Sequence, residues 1–177
     1  MGIISIYIIN AETKKFVCVK NLEFVSYFSR SSVAELMNTF ACHIAHRIDT
    51  DERKILEHQD WMFTCLKREA RTVVCITDPS YPVRVLFRLI DHCHNEPTQS
   101  NAQHVLDTCQ DARIIDPMYH INCSLDETMV IMHQTIDKIL ERGEKLDDLV
   151  ERSAQLSASS KMFYKTARQH NRCCTVS

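Results

Sequence analysis

From Leu125 to His170 one set of residues returns at alternating spacings of three and four: Leu125, Thr128, Met132, Thr135, Ile139, Arg142, Leu146, Leu149, Ser153, Leu156, Ser160, Phe163, Ala167 and His170. This is a heptad seam, the pattern of a helix built to lie against other helices. As one helix, Asp126 to His170 would run about 68 Å at ~1.5 Å per residue, longer than a domain made from the rest of the chain is wide. Eight of the seam residues are apolar: Leu125, Met132, Ile139, Leu146, Leu149, Leu156, Phe163 and Ala167. The others weaken it as a self-sufficient coiled coil. Arg142 is the sharpest exception, because a guanidinium does not give up its proton and its burial requires hydrogen-bond acceptors. A hairpin or a solvated helix packed on the domain is one reading. A segment that orders on binding other helices is the other. The second is preferred, since the chain offers no long partner for a hairpin.

The residues before the seam read as mixed α and β. Ile3 to Ile9 and Phe16 to Leu22 make two strands around the polar turn Asn10-Ala11-Glu12-Thr13. Ser32-Val33-Ala34-Glu35 has the form of a capping box, followed by an apolar stripe of Val33, Leu36, Met37, Phe40, Ile44 and Ile48. Ile55 to Leu66 reads as one strand and Arg71 to Thr77 as another. Asp78-Pro79-Ser80 turns the chain, and Pro82 opens a helix carrying Val83, Leu86, Leu89, Ile90 and Cys93. A short helix follows from Ala102 to Cys109. Arg113 to His120 shows no period and reads as a linker.

Several functions are excluded by what is missing. Gly2 and Gly143 are the only glycines, too few for a P-loop or a dinucleotide loop. A net charge of −2 gives no basis for binding nucleic acid. Nine cysteines without a secretory signal imply reduced thiols, most of them acting as small buried hydrophobes. His43 with His46, and His92 with His94, lack zinc-like companions, so no metal or other cofactor is expected. No Cys–His spacing suggests a nucleophile, and no catalytic residue is assigned. No apolar run approaches the ~20 residues of a membrane span.

The last residues, Cys173-Cys174-Thr175-Val176-Ser177, hold a C-a-a-X box at Cys174, and its final serine points to farnesyl. One prenyl chain anchors only marginally, and Cys173 is placed to take a second acyl chain. Lys161, Lys165, Arg168 and Arg172 lie just upstream, where anionic lipid attracts them.

Ile139-Leu-Glu-Arg142-Gly-Glu-Lys-Leu-Asp-Asp-Leu-Val150 resembles the middle of an R-SNARE motif. Ser160-Lys-Met-Phe-Tyr-Lys-Thr-Ala-Arg168 followed by Cys173-Cys174 resembles the prenylated, longin-type YKT branch of the synaptobrevin family. Arg30-Ser-Ser-Val33 and Asp78-Pro-Ser-Tyr-Pro-Val-Arg-Val85 are similar to the longin domain of that branch. The resemblance implies an α+β fold. A longin (profilin-like) domain over 1–112, with a five-stranded antiparallel sheet flanked by helices, would be followed by a linker over 113–121. One long R-SNARE coiled-coil helix would occupy 122–171, and a lipidated tail 172–177.

By the same resemblance the chain is a vesicular R-SNARE that pairs with three Q-SNARE helices, of syntaxin and SNAP type. Arg142 would face three glutamines in the central layer. Cys174 would carry farnesyl and Cys173 palmitate. The protein would cycle between cytosol and the cytosolic faces of Golgi, vesicle and endosomal membranes, regulated by contact between its own longin domain and SNARE segment. Leu36, Phe40 and Phe28 are candidate lining residues of a longin groove, or plain core. A small prenylated GTPase is set aside for want of a phosphate loop, and an acyltransferase for want of a Cys–His pair. A longin adaptor without fusion activity is the remaining rival, opposed by the presence of Arg142.

Overall fold

Ile3–Asn10 (β1) is apolar on both sides, as a strand buried between two layers must be. A computed structural model describes residues 2–13, 15–111, 132–140 and 145–173. Phe16–Lys20 (β2) pairs antiparallel with β1, as the turn residues predict. After a one-turn 3-10 helix at Tyr27–Ser29 comes α1, Arg30–Arg47. Arg53–His58 (β3), Trp61–Arg68 (β4) and Arg71–Thr77 (β5) follow, then α2 (Val83–Asn95) and α3 (Gln99–Thr108).

The sheet runs β2-β1-β5-β4-β3-β6, with β6 (Met132–Thr135) supplied by the heptad region. It therefore has six strands where five are expected. The β3–β6 pair is parallel, whereas the others are antiparallel. One face carries α2 and α3, with Leu86, Phe87, Ile90, Val105 and Leu106 packed on Ile6, Ile8 and Val73. The other carries α1, where Val33, Leu36, Met37, Phe40, Ile44 and Ile48 are buried on Ile4, Tyr7, Phe63 and Val74. The apolar stripe read from the sequence is this face of α1.

Two local expectations change. Ile55 to Leu66 is a hairpin rather than one strand. Its connection, Gln59-Asp60, turns with Gln59 at φ 53°, and the next hairpin turns at Glu69 with φ 52°. Left-handed residues without glycine left no turn signal to read. The capping box is also displaced. The helix starts two residues before Ser32, with Ser29 at the N-cap and no side-chain cap bond, and Ser32 is buried inside the first turn. Glu35 is thereby free to bond elsewhere.

Candidate functional site

The described parts of the heptad region, 132–140 and 145–170, do not stand away from the domain as one helix. They lie along the β3 edge and the α1 face as a strand, a 3-10 turn and two helices, and the polar seam explains why. A lone helix with Arg142, serines and threonines on its apolar stripe gains little, whereas docking removes its leucines from water. β6 lies along β3 in the register Lys54↔Met132, Ile55↔His133, Leu56↔Gln134 and Glu57↔Thr135, covering an otherwise open sheet edge. The 3-10 turn Ile136–Ile139 buries Ile136. Leu146–Arg152 forms α4, with Asp147 and Asp148 in its first turn and Arg152 in its last, the favourable order for the helix dipole. Lys145 donates its backbone N–H to Asp148 at 3.3 Å. Leu146, Leu149 and Val150 are buried against the α1-face cluster.

Ser153 leaves the helix, Leu156 is buried, and α5 begins at Ala158 and runs to Cys173. Here Glu35 finds its partners. Its Oε2 accepts from the Ser157 backbone N–H at 2.9 Å, the Ser157 hydroxyl at 2.8 Å and the Ser160 hydroxyl at 2.7 Å. The Ser160 bond, followed by those from Ser157, holds the carboxyl below its ordinary range.

Tyr164 plugs the centre of the contact. Its ring stacks on His58 with centroids 6.0 Å apart and meets Phe40 edge-on at 6.3 Å. Its hydroxyl donates to Asp147 at 3.2 Å. The buried Nε2 of His58 has no hydrogen-bond partner among the described residues. Burial pushes the imidazole below its ordinary value, opposed by Asp137 and reinforced by Arg168. Arg168 pairs with Asp147, Lys165 Nζ sits 2.8 Å from Glu151, and Lys161 Nζ donates to the Glu151 carbonyl at 2.6 Å. In a straight helix Asp147 and Tyr164 would stand about 25 Å apart at ~1.5 Å per residue. These bonds exist only while the segment is folded back.

A cleft of about 300 Å³ runs between Phe24, Val25, Val33 and Leu36 on the domain and Phe163 and Ala167 on α5. Of the groove residues suggested by sequence, Leu36 lines it. Phe40 lies in the core beside Tyr164, and Phe28 is 92% exposed and does not line this cleft.

Residues 117–176 match the synaptobrevin family, and residues 22–129 match the regulated-SNARE-like (longin) domain. The chain is 36% identical over 178 residues to the synaptobrevin homolog YKT6 of Saccharomyces cerevisiae, covering 89% of each chain. It is 35% identical over 173 residues to the synaptobrevin homolog ykt6 of Schizosaccharomyces pombe, covering 88% of each. It is also 35% identical to the VAMP-like protein YKT61 of Arabidopsis thaliana, covering 85% of this chain and 84% of that one. The chain belongs to the longin-type R-SNAREs of the YKT6 family. Such an R-SNARE acts in vesicle-mediated membrane traffic as a member of SNARE complexes, and its relatives are SNARE proteins, which are not enzymes.

For this R-SNARE the expected α+β longin domain stands, with the sixth strand added. Among the described residues of the motif, the single long helix is replaced by β6, the 3-10 turn, α4 and α5. Of the seam residues, Leu146, Leu149 and Leu156 are buried on the longin domain, and Ile139, Phe163 and Ala167 are half-buried. Met132 lies in β6, and Cys173 is the last residue of α5. Leu125, Arg142, Cys174 and the 113–121 linker lie outside the described residues. No described helix is long and apolar enough to cross a membrane. His92 bonds Asn101 at 2.9 Å and His46 meets the Cys42 carbonyl at 2.7 Å, both local structural uses. Sequence reasoning missed Glu35, His58, Val150 and Tyr164. Val150 and Tyr164 each follow a seam residue by one position, so the heptad rule places them beside the seam and not in a packed layer.

Proposed function

We propose that the longin domain withholds the SNARE motif from its partners by occupying the surface those partners need. The observation that carries this reading is the burial of Leu146, Leu149 and Leu156 on the domain. The same residues belong to the heptad seam, so docking and bundle formation compete for one face of the segment. In the open state the motif, 122–171, pairs in parallel with three Q-SNARE helices, syntaxin-type and SNAP-type. Arg142 takes the central layer against three glutamines and sets register, the best-attested use of a buried polar group. Leu125, Met132, Ile139, Phe163 and Ala167 complete the packed layers. Cys174 takes farnesyl and Cys173 palmitate, tying the far end of the helix to a membrane. Two chains hold stably where one does not, so loss of palmitate returns the protein to the cytosol. This suits cycling to the cytosolic faces of Golgi, vesicle and endosomal membranes, in transport between ER, Golgi, endosome and vacuole.

Mixing the full chain with three Q-SNARE helices tests the assignment. A four-chain helical complex, seen as a rise in helicity and a matching mass, is expected. Arg142→Leu should shift register or impair disassembly while leaving helicity. Absence of any complex, both with the wild-type chain and with a chain whose segment is undocked by Val150→Asp, would sink the fusion role and leave the adaptor.

A further inference from the structure

The docked segment is built in two halves that are held by different physics. The first, β6 through α4, is held by strand pairing to β3 and by burial of Ile136, Leu146, Leu149 and Val150. The second, α5, starts after an exposed stretch at Ala154 and Gln155. No acidic residue lies within Ala158–Cys173. An isolated helix of this composition has no carboxylate at its positive end. Ser157 supplies a hydroxyl cap that bonds Ser160 N–H at 3.3 Å, and the carboxylate comes from another element: Glu35, one turn into α1. One oxygen of Glu35 collects three donors from the first turn of α5. The remaining polar links between the halves are the Tyr164 hydroxyl on Asp147 at 3.2 Å, the Arg168–Asp147 pair, and the contacts of Lys161 and Lys165 with Glu151, of which the exposed Glu151–Lys165 pair holds weakly.

We infer that Glu35 is a positioning residue that caps α5 across the interface, seating the C-terminal half of the SNARE segment independently of the β6–α4 half. Loss of this cap gives a half-open chain. In that state α5, which ends at Cys173, is released, while Leu146 and Leu149 stay buried. This extends the proposed withholding of the motif. With the lipidation proposed above, the half-open chain can hold a membrane before it can pair with Q-SNARE helices. Attachment and fusion competence become separate steps of one segment.

Hydrogen exchange on the full, unlipidated chain tests this. Glu35→Ala should speed exchange of α5 amides, 160–168, by about tenfold, the scale of a lost helix cap. Amides 133–135 of β6 and 54–57 of β3 should keep wild-type rates. Glu35→Gln, which retains one acceptor oxygen, should show a smaller rise in the same α5 amides. Ile136→Ala should do the reverse, exposing 133–135 and sparing α5. Amides of β1 and β5 report that the domain remains folded in each variant. Wild-type α5 rates in Glu35→Ala, or equal acceleration of both halves, would overturn the inference. Wild-type protein unprotected in both halves would instead remove docking itself, and with it the withholding mechanism.

Discussion

The two faces of the sheet are closed by different chemistry. On the α2–α3 side the cover is apolar and dry: Leu86, Phe87, Ile90, Val105 and Leu106 fill it. Its buried carboxylate is paired twice, with Asp91 held at 3.0 Å by Arg53 and at 3.0 Å by Arg68, and with Arg53 5.5 Å above the Phe87 ring. On the α1 side the outer cover is the SNARE segment, and its contacts mix leucines with a carboxylate cap, an unpartnered imidazole nitrogen and a stacked tyrosine. Groups that lose little on returning to water are concentrated where the cover has to leave. The first face is a core, and the second, on the mechanism proposed above, is a closure exchanged for other helices.

Substitutions that treat the two faces alike should therefore give unlike results. Phe87→Ala empties a fully buried site and should cost about 3–5 kcal/mol in thermal unfolding of the whole domain. A much smaller loss would mean that the α2–α3 face is as adaptable as the other.

Acid should act on docking through His58, and the comparison with the other face is needed because burial also lowers His94 of α2. His58 faces Tyr164 and Arg168 of α5, Asp137 of the 3-10 turn and Phe40 of α1. Its value is depressed when docked, so below the ordinary 6.5 the undocked form takes up the proton first, and docking weakens as pH falls from there. Glu35, also depressed, loses its contribution only further down, as pH drops below the ordinary 4.5 and through its docked value. Exchange of α5 amides relative to those of β5, followed between about pH 7 and about pH 5, should show selective release of α5. A flat ratio would mean that His58 keeps its value on docking.

Lys165→Ala removes an exposed pair with Glu151 and should leave exchange of the same amides nearly unchanged. A larger effect would show that the surface pairs, rather than Glu35 and Tyr164, hold α5.

The longin core was legible where period and burial agree. β1 and β5 are apolar runs, and the α1 stripe from Val33 to Ile48 is buried as spaced. The β3–β4 hairpin was hidden because Gln59 makes its turn without glycine. β6 was hidden for a deeper reason. Met132–Thr135 carries a helical period suited to a bundle, and the open edge of β3, remote in sequence, overrides it. Glu35 shows the same limit at a single residue: its pattern announced a helix cap, and only the fold reveals that the helix is α5 and not its own. Two structures written into one segment leave a sequence that displays the stronger period and conceals the docked one.

Val150 tests whether the two structures share one surface. It is buried in the docked chain but lies off the bundle seam, so Val150→Asp should expel the segment from the domain and leave the seam intact. The measurement is the rate at which the full chain assembles with three Q-SNARE helices. A rate at least about tenfold above wild type is the expected result, as the competent fraction rises. An unchanged rate, in a variant whose segment is shown undocked by hydrogen exchange, would contradict the claim that the longin domain and the partner helices compete for the same face.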